Sequence, residues 1–166
     1  MLLRWELLGG APYPNTWALY DGFSNYGGSG MTLGLLIAIF IFSRQADQKD
    51  IAKLSLAPGL FNINESVIFG LPIVLNPMFL VPFILVPTVN VLIGYTAIKL
   101  GLMPAIAYSV PWTTPGPLIP FLGSGGNFMG LVFGFVALAV SVIIYAPFVI
   151  ASNKAAAKMN ESYSEV

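Results

Sequence analysis

This chain of 166 residues has no histidine and no cysteine, and only 8% of its residues are charged. Without histidine it cannot hold a His-dependent triad or a His-ligated metal. Without cysteine it has no disulfide and no thiolate metal site. It also lacks a phosphate-binding glycine loop with lysine, paired carboxylates and a Ser/His/Asp set. Nothing in it does covalent chemistry unaided, and no cofactor or metal is expected. The scarcity of charge excludes a soluble domain, since an ordinary globular protein is about 25% charged. A net charge of zero argues against a nucleic-acid partner.

What is present is apolar. Hydrophobic residues make up 57% of the chain, the composition of an integral membrane protein. The opening "MLLRWELLGGAPYPNTW" is broken by Arg4 and Glu6 and lacks a small-residue cleavage site. It reads as a sequence that begins inside something longer, not as a signal peptide. Residues 27–42, "GGSGMTLGLLIAIFIF", are the first spanning candidate. They fall short of the ~20 residues needed to cross ~30 Å, so residues before Gly27 complete the span. Residues 43–53, "SRQADQKDIAK", form a charge-dense loop with Arg44, Lys49 and Lys53, which places it in the cytoplasm.

Residues 54–77, "LSLAPGLFNINESVIFGLPIVLNP", are too interrupted for an ordinary span. The apolar pieces 54–61 and 67–75 each reach only about 12–14 Å at ~1.5 Å per residue. Two short pieces around a polar centre describe a re-entrant hairpin, which survives at membrane depth only when buried in protein or lining a wet cavity. Prolines at 72, 77, 82 and 87 make residues 78–100 a kinked second span. Residues 101–127 hold five prolines and five glycines and read as an irregular, partly buried segment. Residues 128–151 are the clearest transmembrane helix, and Lys154 and Lys158 make the tail cytoplasmic. Lys99, at the outer end, is one snorkelling lysine against five basic residues on the other side. The expected fold is therefore all-α and integral to the membrane: about three transmembrane helices, a re-entrant hairpin and an irregular Pro/Gly-rich buried segment.

Glu65 is the feature such a chain has to explain. A carboxylate at mid-membrane costs roughly 2.5–3.5 kcal/mol on insertion scales. It is a ligand, proton or ion site, or else a neutral Glu bonded to hairpin backbone or reaching the interface. Asn62 and Asn64 favour the functional reading, because unpaired amides are costly as well. The Asn-Glu-Ser glycosylation pattern is a chance match on a hairpin entered from the cytoplasm. Gly126, Gly130 and Gly134 form a small-residue stripe, and Gly30 and Gly34 a second pair, both suited to close helix packing. Gly27, Gly28 and Gly30 of "GGSG" either bring backbone close to a ligand or turn the chain. In "PWTTPGP", Trp112 is either a sugar platform, with the Thr113 hydroxyl beside it, or an interfacial anchor.

The run "APGLFNINESVIFGLPIVLNP", followed by "PWTTPGP", resembles the C-terminal half of the IIC permease of the bacterial phosphoenolpyruvate-dependent sugar phosphotransferase system, in its lactose/cellobiose/diacetylchitobiose branch. "GGSGMTLGLLIA" resembles that branch's glycine motif, with Met31 in place of a small residue. Ser66 stands where the family commonly has proline. The resemblance covers about residues 15–155. It implies that a β-linked disaccharide binds near mid-membrane and is phosphorylated at C6 by phospho-IIB, with IIA behind it. Glu65 is then beside the C6 hydroxyl as hydrogen-bond acceptor or base, Trp112 stacks on a sugar ring, and Asn64 and Gly27–Gly30 line the pocket.

The family also places a histidine in that pocket from a segment upstream, and its members are longer. Residues 1–26 are thus expected to be part of a longer permease, 27–152 the C-terminal sugar-binding half and 153–166 a cytoplasmic tail. The implied partners are the sugar, phospho-IIB, the lipid bilayer, the N-terminal permease half and a second copy in a full-length homodimer. The implied location is the bacterial inner membrane. The rivals are a secondary transporter with Glu65 as proton relay and a truncated remnant without transport.

Overall fold

A computed structural model describes residues 16–164. Among these the chain is all-helical, without strands: α1 (Thr16–Ser24), α2 (Thr32–Phe42), α3 (Ala46–Leu60), α4 (Glu65–Gly70), α5 (Pro77–Lys99), α6 (Leu118–Gly123) and α7 (Phe128–Ser164), joined by turns and irregular segments. Three stretches are long and apolar enough to cross a membrane: Ala18–Phe42, Pro77–Lys99 and Phe128–Met159. The helices α3 and α4 form the hairpin between the first two. An irregular segment over 100–117 and the short α6 fill the Pro/Gly-rich region. The fold expected from the sequence is the fold observed. The readings that fall on residues 1–15 lie outside the described residues.

The burial pattern explains why these helices suit a bilayer. In α5 the inward residues are Phe79, Pro82, Val86, Asn90, Gly94 and Ala97, a single face at helical spacing. The outward face carries Val81, Ile84, Leu85 and Leu92, as apolar as the interior. In α7 the inward face is Gly130, Gly134, Ala137, Ser141, Tyr145, Val149 and Ser152. In α7 the small and polar residues Gly130, Gly134, Ala137, Ser141 and Ser152 point inward, with Tyr145 and Val149 among them, while the outward face is apolar, unlike that of a soluble helix. With its inward face α7 packs against α2, α5 and α6.

Several local expectations are corrected. The charge-dense stretch is not a loop beyond Gln45: α3 begins at Ala46, so Asp47, Lys49, Asp50 and Lys53 are helical. Asp47 occupies the first turn, where a negative charge favours the helix dipole, and Lys53 pairs with Asp50 at 2.9 Å. The first span is two helices, because Gly27, Gly28, Gly30 and Met31 all take positive φ between them. The last helix runs past residue 151 to Ser164, since the Ala-rich tail keeps helix propensity after its hydrophobicity ends. Gly126 precedes α7 and is not on its stripe. Gly130 and Gly134 admit neighbouring backbone, for a methyl group on Gly134 would lie 2.5 Å from the Pro117 carbonyl oxygen.

Two features fix the ends of the hairpin. Pro77 opens α5, and the Asn76 side chain accepts from the Met78 N–H at 3.0 Å, a side-chain cap ahead of a first-turn proline. At the other end, Ser43 donates to Gln48 (2.8 Å) and Gln48 donates to Ser152 (2.9 Å). The Asn153 side chain accepts from the Arg44 N–H (3.0 Å) and donates to the Phe42 carbonyl (2.8 Å). This polar staple brings Arg44 and Lys154 to the same end of the bundle, the charge asymmetry that orientation rules read.

Candidate functional site

The tip of the hairpin is built by a helix stop. The helix α3 ends in a Schellman motif: the Ile63 N–H bonds the Pro58 carbonyl at 3.1 Å, and the Asn62 N–H bonds the Gly59 carbonyl at 3.2 Å. The position between needs the left-handed region, and Asn62 fills it with φ 65°. Glycine is the usual residue there, as Gly101 and Gly125 illustrate after α5 and α6. Asparagine is the side-chain-bearing residue that tolerates this region best, and here the side chain is used.

Asn62 is buried, at 8% exposure, and its amide is engaged on both ends. Its Nδ2 donates to the Trp112 carbonyl at 2.5 Å and the Thr114 carbonyl at 2.8 Å. Its Oδ1 accepts from the Gly27 N–H at 2.8 Å. Asn64, 7% exposed, donates from Nδ2 to the Ser29 carbonyl at 2.9 Å. Its backbone carbonyl meanwhile starts α4, accepting from the Val67 and Ile68 N–H groups. Two side chains from the tip thus tie together three segments far apart in sequence: 27–30, 62–65 and 111–114. A methyl on Gly28 would sit 2.6 Å from the Asn64 Cγ and 2.8 Å from the Asn62 carbonyl oxygen, so the glycine turn can approach the tip only without a side chain.

The sequence-predicted residues therefore meet, and they divide into two kinds. Asn62, Asn64, Gly27, Gly28 and Gly30 are buried and form the frame. Glu65, Trp112 and Thr113 are exposed on it. Glu65 is the first residue of α4, and its carboxylate has no hydrogen-bond or ion-pair partner among the described residues. The buried Glu bonded to hairpin backbone is not what the chain adopts. Trp112 is 67% exposed while its carbonyl is held by Asn62, so the side chain stands out from a pinned backbone. No group of three or more acidic, His or Cys side chains suited to a metal occurs among the described residues.

Sequence reasoning missed the far side of the glycine turn. Tyr145 of α7 donates to the Gly30 carbonyl at 2.5 Å, and Asn90 of α5 lies 2.9 Å from both the Met31 sulfur and the Ser141 hydroxyl. Asn90 and Ser141 were findable as lone polar residues within spans.

Residues 15–87 match the family model described as Phosphotransferase system, EIIC. The PTS system cellobiose-specific EIIC component of Lactococcus lactis subsp. lactis (strain IL1403) is 44% identical over 144 residues. That alignment covers 86% of this chain and 29% of the relative. The chain belongs to the phosphotransferase-system EIIC family. This EIIC segment is also 42% identical to the lichenan permease IIC component of Bacillus subtilis (strain 168), over 80% of the segment and 30% of that protein. The crystal structure of ChbC, the IIC component from the N,N'-diacetylchitobiose-specific phosphotransferase system, matches with a TM-score of 0.85 at 38% identity. It covers 95% of the EIIC segment and 37% of the ChbC chain. The segment spans about three tenths of the length of the curated relatives it matches and corresponds to a C-terminal part of them.

Proposed function

We propose that this chain is the C-terminal sugar-binding part of a IIC permease that takes up a β-linked disaccharide of the cellobiose, chitobiose or lactose type and presents its C6 hydroxyl for phosphorylation by phospho-IIB. The observation that carries the proposal is the junction of the three segments. Buried amides hold a free carboxylate and a free indole ring on one rigid frame. Trp112 offers an apolar plane to the C–H face of a pyranose, and the Thr113 hydroxyl stands beside it for sugar hydroxyls. Glu65 accepts a hydrogen bond from the C6 hydroxyl and orients its oxygen. Asn62 acts through the placement of Trp112, because its amide is already committed to backbone. Asn64 and Gly27, Gly28 and Gly30 complete the wall.

In the transfer step the C6 oxygen forms a bond to phosphorus as the bond from phosphorus to the IIB cysteine sulfur breaks. The hydroxyl proton leaves toward Glu65, which serves as base. The product carries about −1.5 to −2 extra charge at pH 7, and its repulsion from Glu65 favours release into the cytoplasm and opposes return. The membrane is the bacterial inner membrane, with the staple end that carries Arg44 and Lys154, and the C-terminus, on the cytoplasmic side. The partners are the sugar, phospho-IIB with IIA behind it, the upstream permease segments and, in the full-length form, a second copy.

The rivals are a proton-coupled carrier with Glu65 as relay and a remnant without transport. The test is the form in which sugar arrives. In vesicles bearing the complete complex, uptake that needs phosphoenolpyruvate and delivers sugar phosphate supports the proposal. Free sugar accumulating on a pH gradient favours the relay, and no uptake favours the remnant.

A further inference from the structure

We infer that Asn90 and Tyr145 are positioning residues for the sugar site, acting on it through the glycine turn; this rests on the transport reading above. The turn at 27–31 is gripped from two sides. On the hairpin side, Asn62 takes the Gly27 N–H and Asn64 the Ser29 carbonyl. On the opposite side, Tyr145 takes the Gly30 carbonyl at 2.5 Å. Tyr145 lies one turn C-terminal to Ser141, which packs on Gly34, and its side chain leans back toward the N-terminus of α7, as helical side chains do, to reach the turn. Met31, in the left-handed region with φ 53° and fully buried, lies with its sulfur 2.9 Å from the Asn90 Nδ2. The sulfur is a weak acceptor, yet it is the place where α5 touches the turn's only large side chain. The Ser141 hydroxyl accepts from the same nitrogen and donates to the Ala137 carbonyl at 2.7 Å.

A purely packing role does not account for Asn90. Its side-chain oxygen is buried and has no partner. An unpaired amide oxygen in an interior is a standing destabilisation that a leucine of similar size would remove. Replacement would cost Ser141 little, because its own donor is already used. An amide kept at a net cost, on a residue of α5 that meets Met31, marks a residue that holds the turn in place. Met31 and the glycines in turn fix the wall against which Asn64, and hence Glu65, is set.

The test uses the complete permease in lipid nanodiscs with two variants, Asn90→Leu and Tyr145→Phe, and Thr88→Val on the exposed face of α5 as control. Disaccharide affinity, thermal unfolding and amide exchange over residues 27–33 are measured. Both variants are expected to weaken disaccharide binding roughly fivefold, in the range by which indirect residues modulate a site, and to speed exchange in the turn. Asn90→Leu is expected to do so with a melting temperature no lower than wild type, which a structural role predicts in the opposite direction. If Tyr145→Phe fails to insert, Asn90→Leu carries the test alone. Wild-type affinity in Asn90→Leu, with or without faster exchange, overturns the inference and leaves the transport reading standing. A wild-type permease that binds no disaccharide overturns both.

Discussion

Replacing Asn62 by glycine isolates the amide from the backbone it occupies. Glycine accepts φ 65° freely, so the helix stop after α3 survives and only the side chain is lost. Three hydrogen bonds go with it: those to the Gly27 N–H, the Trp112 carbonyl and the Thr114 carbonyl. At about 1 kcal/mol net each, with buried groups left unpaired, the loss is roughly 3 kcal/mol. Asn62→Ala adds about 1 kcal/mol or more for an alanine in the left-handed region. On the scale of a 150–250-residue domain, where 1 kcal/mol moves Tm by about 2–4 °C, Asn62→Gly should lower Tm by roughly 10 °C and Asn62→Ala further. The assay is thermal unfolding of the purified chain in detergent, followed by amide exchange over residues 111–114. Asn62→Gly should also release that segment, since both of its ties to the hairpin are gone. A Tm and an exchange pattern equal to wild type would refute the claim that Asn62 joins the three segments.

Four further outcomes are expected. Gly28→Ala combines positive φ with a methyl 2.6 Å from the Asn64 Cγ, so it should reduce sugar affinity as severely as Asn64→Ala, measured by calorimetry on the complete permease. Trp112→Ala removes an exposed ring, so it should leave stability within about 0.5 kcal/mol of wild type while weakening sugar binding; a large fall in Tm would mean the ring packs instead. The 166-residue chain alone, lacking most of the relatives' length, should bind cellobiose-type sugars weakly or not at all in calorimetry. Because the chain has no native cysteine, Lys53→Cys and Lys99→Cys are clean topology probes. An impermeant maleimide should label Lys99→Cys from outside intact cells and Lys53→Cys only from the cytoplasmic face.

The spans and the hairpin were legible because hydropathy and length act locally. Eight or nine apolar residues on each side of "NINE" cannot cross a bilayer, whatever the rest of the chain does. The boundaries within charged or glycine-rich stretches were not legible by that signal. The helicity of 46–53 rests on propensity, to which the exposed Asp50–Lys53 pair adds little, and the extension of α7 to Ser164 on its Ala-rich tail. At the candidate site, Asn62, Asn64, Glu65 and Trp112 stood out as polar or aromatic groups in an apolar chain. Their division into frame and free groups did not, because it depends on bonds between residues 35 to 52 positions apart. Asn62 looked like a pocket amide, and its use as a left-handed helix stop emerges only once the end of α3 is known. Tyr145 gave no sequence signal, since one tyrosine in a transmembrane helix is unremarkable until its hydroxyl meets Gly30.

Under the proposed function, the free carboxylate of Glu65 on the hairpin tip serves the sugar's C6 hydroxyl. The decisive assay is phosphoenolpyruvate-dependent disaccharide phosphorylation in membranes that carry the complete complex at matched abundance, with Glu65 or Glu65→Gln. Loss of most of the phosphorylation in Glu65→Gln, with insertion and folding unchanged, is the predicted result. Equal phosphorylation rates in the two proteins would rule out a role for the Glu65 carboxylate at the C6 hydroxyl.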